Sequence, residues 1–174
     1  GLIAIKGIGE TAIQAILAVR DEMGGRIPSL HALCERVDLR IVNKRVFEAL
    51  VKSGACDSLL TTRTTLAADR ARLLAAVDQA CEHGSRVQRD KDLGQTDLFG
   101  GADPAGAPVG SALPDVPAWS EIEQLNFEKE ALGLYWSGHP IDRYAEDLRA
   151  YGALTTAELG VRKEPAAEGA ESDA

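Results

Sequence analysis

With 174 residues, 45% hydrophobic and only 5% aromatic content, the chain holds apolar material for one or two small domains with a modest core. No run of about 18 apolar residues and no signal-peptide pattern occurs, so we expect a cytoplasmic protein with no membrane partner. The net charge of −8 would argue against a polyanionic partner, but residues 1–92 carry 14 Lys+Arg against 12 Asp+Glu while residues 93–174 carry 5 against 15, so an acidic second half hides a mildly basic first half.

Alanine, leucine, glutamate and arginine dominate, and apolar residues recur at three-and-four spacing, which predicts an all-α fold. The chain has no initiator methionine, and Leu2, Ile3 and Ile5 read as the last turn and a half of a helix, so we expect a segment of a longer protein. Lys6-Gly7-Ile8-Gly9 then breaks the run, with both glycines expected to serve positive φ or close backbone approach and Ile8 expected to plug the core. A helix to about Met23 follows, with Ala12, Ile13, Ile16 and Leu17 on one face and Gly24-Gly25 at its end. Ser29 is the expected N-cap of a short helix burying Leu30, Leu33, Cys34 and Val37. Asn43 is the expected cap of another helix through Ser53, burying Val46, Phe47, Leu50 and Val51 before Gly54.

Residues 1–58 thus read as a tandem helix-hairpin-helix module, one that binds double-stranded DNA. Each hairpin turn opens a helix, whose unpaired N–H groups and positive dipole end suit a phosphate. Lys6, Gly7 and Gly9 form the first expected contact, and Arg40, Asn43, Lys44 and Arg45 the second. A charge cluster is commonly only a solvated face, but this one sits at a helix N-terminus.

Residues 59–92 predict a long packing helix, from about Thr64 to Gln88, with Leu66, Leu73, Leu74, Val77, Ala80 and Cys81 on its stripe and Arg70, Arg72, Arg86 and Arg89 elsewhere. Residues 93–118, rich in Gly, Ala and Pro, read as a flexible loop. Within it Gln95-Thr96-Asp97-Leu98-Phe99 places two large apolar residues in a small-residue tract, the pattern of either a local anchor or a linear motif for a partner's pocket. Residues 119–160 predict a helical segment with capping boxes at Ser120/Glu123 and Thr155/Glu158 and an aromatic turn through Trp136 to Pro140, where a helix bearing Ile141, Tyr144, Leu148 and Tyr151 begins. Residues 161–174 read as a disordered acidic tail.

No catalytic constellation emerges. Asp21-Glu22 and Glu146-Asp147 are neighbours on helices and do not converge as a two-metal site requires. The chain lacks a P-loop, a Gly-x-Ser-x-Gly and a histidine zinc motif, and Cys34, Cys56 and Cys81 are too far apart for a C-x-x-C pair, so no cofactor or metal is expected.

Four stretches, Lys6–Gly9, Leu39–Arg45, Phe47–Asp57 and Gly133-Leu134-Tyr135-Trp136-Ser137-Gly138-His139-Pro140, together resemble the C-terminal portion of the bacterial replicative DNA polymerase III alpha subunit. The resemblance covers about residues 1–160. It implies a parent DNA-directed DNA polymerase, with catalytic aspartates and Mg2+ in a domain absent here and an OB-fold following. It also implies a sliding clamp (beta subunit) bound through Gln95, Asp97, Leu98 and Phe99, and the rest of the polymerase III holoenzyme as partner. Gly7-Ile8-Gly9-x-Thr11-Ala12 also resembles the hairpins of repair glycosylases, but the residues beyond Ala12 do not supply their catalytic Asp. A stand-alone DNA-binding adaptor is a third reading.

Overall fold

The computed structural model describes residues 1–60, 65–93 and 113–161, and every regular element among them is helical. The chain divides into two units, Gly1–Gly138 and His139–Ala174.

In the first unit a 3-10 turn, Leu2–Ala4, precedes α1 (Glu10–Glu22), α2 (Leu30–Cys34), α3 (Lys44–Lys52), α4 (Leu66–Asp92) and α5 (Glu121–Leu132). The starts of α2 to α5 follow from side-chain caps. Ser29 Oγ accepts from the Ala32 N–H at 3.1 Å, Asn43 Oδ1 from Val46 at 3.3 Å and Thr65 Oγ1 from Ala68 at 3.2 Å, while Ser120 and Glu123 form the expected reciprocal box. Helix α4 packs on α2 and α3, and α5 packs on α3. Phe47, Leu30, Leu73, Val37, Val42, Val51 and Val77 are almost wholly removed from water between these helices, each of the larger ones contributing about 1.5–3 kcal/mol.

Two features set the register of α4 on the hairpins. Gly84 faces α2 so closely that a Cβ there would lie 2.3 Å from the Cys34 carbonyl oxygen, so no larger residue fits without displacing a helix. One turn on, the Gln88 side-chain amide donates to the carbonyls of Cys34 and Val37 at 2.9 and 2.8 Å, pairing groups that the end of α2 leaves unsatisfied.

A buried arginine on α4 corrects the sequence reading. Leu66 is 43% exposed, whereas Arg70, assigned to an outer face, is 4% exposed. The Arg70 guanidinium donates through Nε and Nη2 to both oxygens of Asp57, at 2.9 and 2.8 Å, and through Nη1 to Glu128 Oε1 at 3.0 Å. The other Glu128 oxygen accepts the N–H groups of Trp136 and Ser137 at 2.9 and 2.8 Å. Burial pushes the Glu128 carboxyl up, but these two N–H groups, the Ser137 hydroxyl and Arg70 outweigh it and hold it below its ordinary value.

Of the expected loop 93–118, residues 94–112 lie outside the described residues, while Leu113 packs against the core and the Pro114 carbonyl accepts from Arg72 Nε at 3.4 Å.

The second unit holds α6 (Ala145–Ala150) and α7 (Thr156–Val161), with Thr155 and Glu158 boxed as expected. The helix expected from Pro140 begins later, because Asp142 and His139 bond the N–H groups of His139 and Ile141 locally and a 3-10 turn, Asp142–Tyr144, comes first. Its expected apolar face is open, with Ile141, Tyr144 and Tyr151 at 50%, 48% and 89% exposure.

Replacing Arg70 with Ala leaves Glu128 buried and short of its partner, and urea unfolding is expected to show a loss of about 3–5 kcal/mol. Glu130→Ala removes a largely exposed partner of Lys52 and is expected to cost under about 1 kcal/mol. Because the Glu128 carboxyl is depressed in the fold, its contribution is full above the ordinary glutamate value of about 4.3 and disappears as pH falls through the lower folded value. Glu128→Gln is expected to flatten stability over that acid range.

Candidate nucleic-acid interface

The first hairpin turn is built from Gly7, Ile8 and Gly9. Gly7 has φ +80°, a region disfavoured for residues with a Cβ, and Ile8 is buried as expected. Gly9 departs from expectation. It is the N-cap of α1 with φ −77° and ψ 156°, ordinary extended backbone, and an added Cβ would meet nothing within 4 Å. The positive-φ requirement therefore lies on Gly7 alone. Gly9 instead leaves the start of α1 bare, since no side chain caps it and Gly9, Glu10 and Thr11 are exposed. These first-turn N–H groups are open to an anion, with the Glu10 carboxylate as an unfavourable neighbour.

The second turn repeats the plan without glycine. Val42 is the buried plug and Asn43 the cap, matching Ile8 and Gly9. The bend is formed by Asp38, which the sequence reading did not single out. Its carbonyl accepts from Ile41 and Val42 at 3.0 and 2.9 Å, and its carboxylate accepts the Arg40 N–H at 2.9 Å, a local turn typical of aspartate. The Arg40 side chain folds onto the same carboxylate at 3.0 and 2.8 Å, drawing Asp38 below and Arg40 above their ordinary values.

The four residues of the second expected contact sit together along this turn and the start of α3, but their charges are not equally available. Lys44 lies 2.6 Å from Asp78 on α4 and 3.7 Å from Glu48, and the bond to Asp78 raises its affinity for the proton. Arg45 is exposed and forms no ion pair among the described residues. Lys6 is exposed, yet its N–H donates to the Ala131 carbonyl at 2.7 Å and its ammonium stands beside Gly133, near enough that a Cβ there would be 2.8 Å away. The carbonyl-rich end of α5 attracts this cation, and no local sequence signal marks the return of α5 to the first hairpin. Gln95, Asp97, Leu98 and Phe99 lie outside the described residues. Among the described residues no three His, Cys, Asp or Glu side chains form a group able to hold a metal ion, and no helix is long and apolar enough to cross a membrane.

Two turns of this kind, each a buried aliphatic plug followed by a helix N-terminus, define a helix-hairpin-helix module, and residues 1–66 match the family model for the helix-hairpin-helix motif. Along most of its length the chain is similar to the DNA polymerase III subunit alpha of bacteria. It is 41% identical over 151 residues to that of Vibrio cholerae (87% of this chain, 12% of the relative). It is 40% identical over 159 residues to that of Haemophilus influenzae (91% and 13%) and 40% over 169 residues to that of Pseudomonas aeruginosa (91% and 14%). The chain thus spans only 12–14% of the length of these relatives.

Valine at the two glycines separates their roles. Gly7→Val is expected to cost about 1–3 kcal/mol in thermal unfolding from backbone strain alone. Gly9→Val, with open space around its Cβ and a permitted φ, is expected to change stability by no more than about 0.5 kcal/mol.

Proposed function

We propose that this chain is the tandem helix-hairpin-helix region of a bacterial replicative DNA polymerase alpha subunit, and that it holds duplex DNA through the phosphate backbone. The observation that carries the reading is the repeated plug-and-N-terminus turn, at Ile8-Gly9 and Val42-Asn43, in a chain similar to subunits named DNA polymerase III alpha. Backbone N–H groups and a few cations meet phosphates and read no bases, so the grip is sequence-independent and positions the duplex for an active site elsewhere in the parent. Nucleotidyl transfer and its Mg2+ ions belong to that missing part; this chain's task is to bind and orient. Repair glycosylase chemistry is disfavoured because no catalytic Asp follows the hairpin.

About two to four phosphate contacts predict a log–log salt slope of roughly −2 to −4 for the 174-residue chain on random duplexes. An affinity indifferent to salt, or strong preference among random duplexes, contradicts the proposal. Arg45→Ala is expected to lower the magnitude of that slope by about 1 without altering sequence preference.

The reading extends to the sliding clamp, with Leu98 and Phe99 filling an apolar pocket and Gln95 adding a polar contact beside Asp97. Its support is the Gln-x-x-Leu-Phe pattern within a small-residue tract. An extended segment ordered on binding gives an affinity of about micromolar, near −8 kcal/mol. Titration calorimetry with a bacterial clamp is expected to show at least a ~100-fold loss for Leu98→Ala/Phe99→Ala and a loss of about 1 kcal/mol for Gln95→Ala. Unchanged affinity of the double variant removes the clamp from the proposal.

A further inference from the structure

The turn that leaves α5, residues 133–137, presents Trp136 to water with 76% of its surface exposed, and Leu134 beside it is half-exposed. An indole is a large apolar face that folded chains ordinarily bury. The turn around it is held firmly. The N–H groups of Trp136 and Ser137 donate to one oxygen of the buried Glu128 at 2.9 and 2.8 Å, and the Gln124 side-chain amide donates to the Ser137 hydroxyl oxygen at 2.7 Å. The backbone that carries the indole is therefore fixed before anything binds, which lowers the ordering cost of using it.

Two cations border the same turn. The Lys6 ammonium stands beside Gly133, and the Lys6 N–H donates to the Ala131 carbonyl, so the first hairpin adjoins the end of α5. The Lys129 ammonium lies 5.0 Å from the centre of the Tyr135 ring. Three carboxylates of α5 are already engaged, Glu128 with Arg70, Glu130 with Lys52 and Glu123 with the Ser120 cap. The fourth, Glu121, opens the helix and stands about 12 Å along its axis from Lys129.

We propose that Trp136 is a stacking platform for a single strand of DNA that runs on from the duplex, with Lys129 and Lys6 as the cations that meet its phosphates. A fixed, exposed aromatic face bordered by ammonium groups suits an unpaired base, because every base has a π face to lay on it and brings an anionic backbone along. The contact tolerates any sequence, since stacking reads no base edge. An apolar protein partner would use Leu134 and Trp136 equally well but gives the two ammonium groups no counterpart. This role rests on the reading of the hairpins as a duplex grip, and it adds the place where the unpaired strand leaves that grip: the Lys6 N–H joins the first hairpin turn to the end of α5, two residues before Gly133.

The test follows tryptophan emission as the 174-residue chain is titrated with a blunt duplex, with the same duplex carrying an overhang of about ten thymidines, and with an abasic overhang of equal length. The thymidine overhang is expected to quench the indole and to bind at least ~5-fold more tightly than the abasic one, which leaves the emission unchanged. Trp136→Leu is expected to erase that difference while binding the blunt duplex as the unaltered chain does, and Trp136→Phe to keep most of it. Trp119, packed on the Phe127 ring at 4.6 Å, is expected to show no quenching in the Trp136→Leu protein. Lys129→Gln is expected to weaken both overhangs alike. Equal affinity for thymidine and abasic overhangs, or constant emission, overturns the proposal and leaves this face to a protein partner. Failure of the duplex reading looks different: the blunt duplex then does not bind, and free oligothymidylate compared with a free abasic strand still decides the role of Trp136.

Discussion

A guanidinium inside a helical core is tolerable only if its charge and its donors are answered there, and Arg70 is the point at which this fold meets that demand. Its fork closes on Asp57 just beyond the second hairpin, and its remaining arm reaches Glu128 on α5. Glu128 in turn holds the backbone of the turn at Trp136 and Ser137. Sliding α4, α5 or the exit of α3 by one residue strands a buried charge, at a cost of several kcal/mol. Relative position is therefore fixed by charge pairing, while the apolar core supplies most of the cohesion.

The hairpins consequently do not stand alone. Their core residues, from Ile5 to Cys56, are continuous with Leu73, Ala76, Val77 and Ala80 of α4 and Ala131 of α5. The Lys6 N–H ties the first turn to α5, and Gln88 and Gly84 seat α2 on α4. A platform of this kind suits a weak grip on a polyanion, since helix N-termini held in place before binding incur no ordering cost on binding. The same platform restrains affinity. Arg40 is neutralised by Asp38 and Lys44 by Asp78, so a phosphate must compete with internal carboxylates and much of the attraction comes from backbone N–H groups.

What the sequence made legible was local chemistry. Ser29, Asn43, Ser120 and Thr155 cap helices as their residue types predict, and Ile8 enters the core because it stands alone between glycines. Long-range pairing was not legible. Arg70 shares the phase of Leu73, Val77, Ala80 and Gly84, but the sequence reading sets it off the apolar stripe, because a charge at that phase reads as exposed unless its partners, 13 and 58 residues away, are known. Gly84 has the same character, since only the arrival of Cys34 gives it a reason to be glycine. Gly9 was misjudged because a glycine before a helix is equally good as an extended cap, and only φ distinguishes the two. The exposed aromatics of the second unit follow a helical period that its own short helices do not bury.

The central claim is that phosphates are held at the two helix N-termini, and amide-resolved NMR during titration with a random-sequence duplex at low salt tests it most directly. The account predicts that the largest shifts fall on the N–H groups of Glu10, Thr11, Lys44 and Arg45 and reverse when salt is added, while α5 is unmoved. Shifts centred on α5 or on the outer face of α4, with those four amides silent, would contradict it.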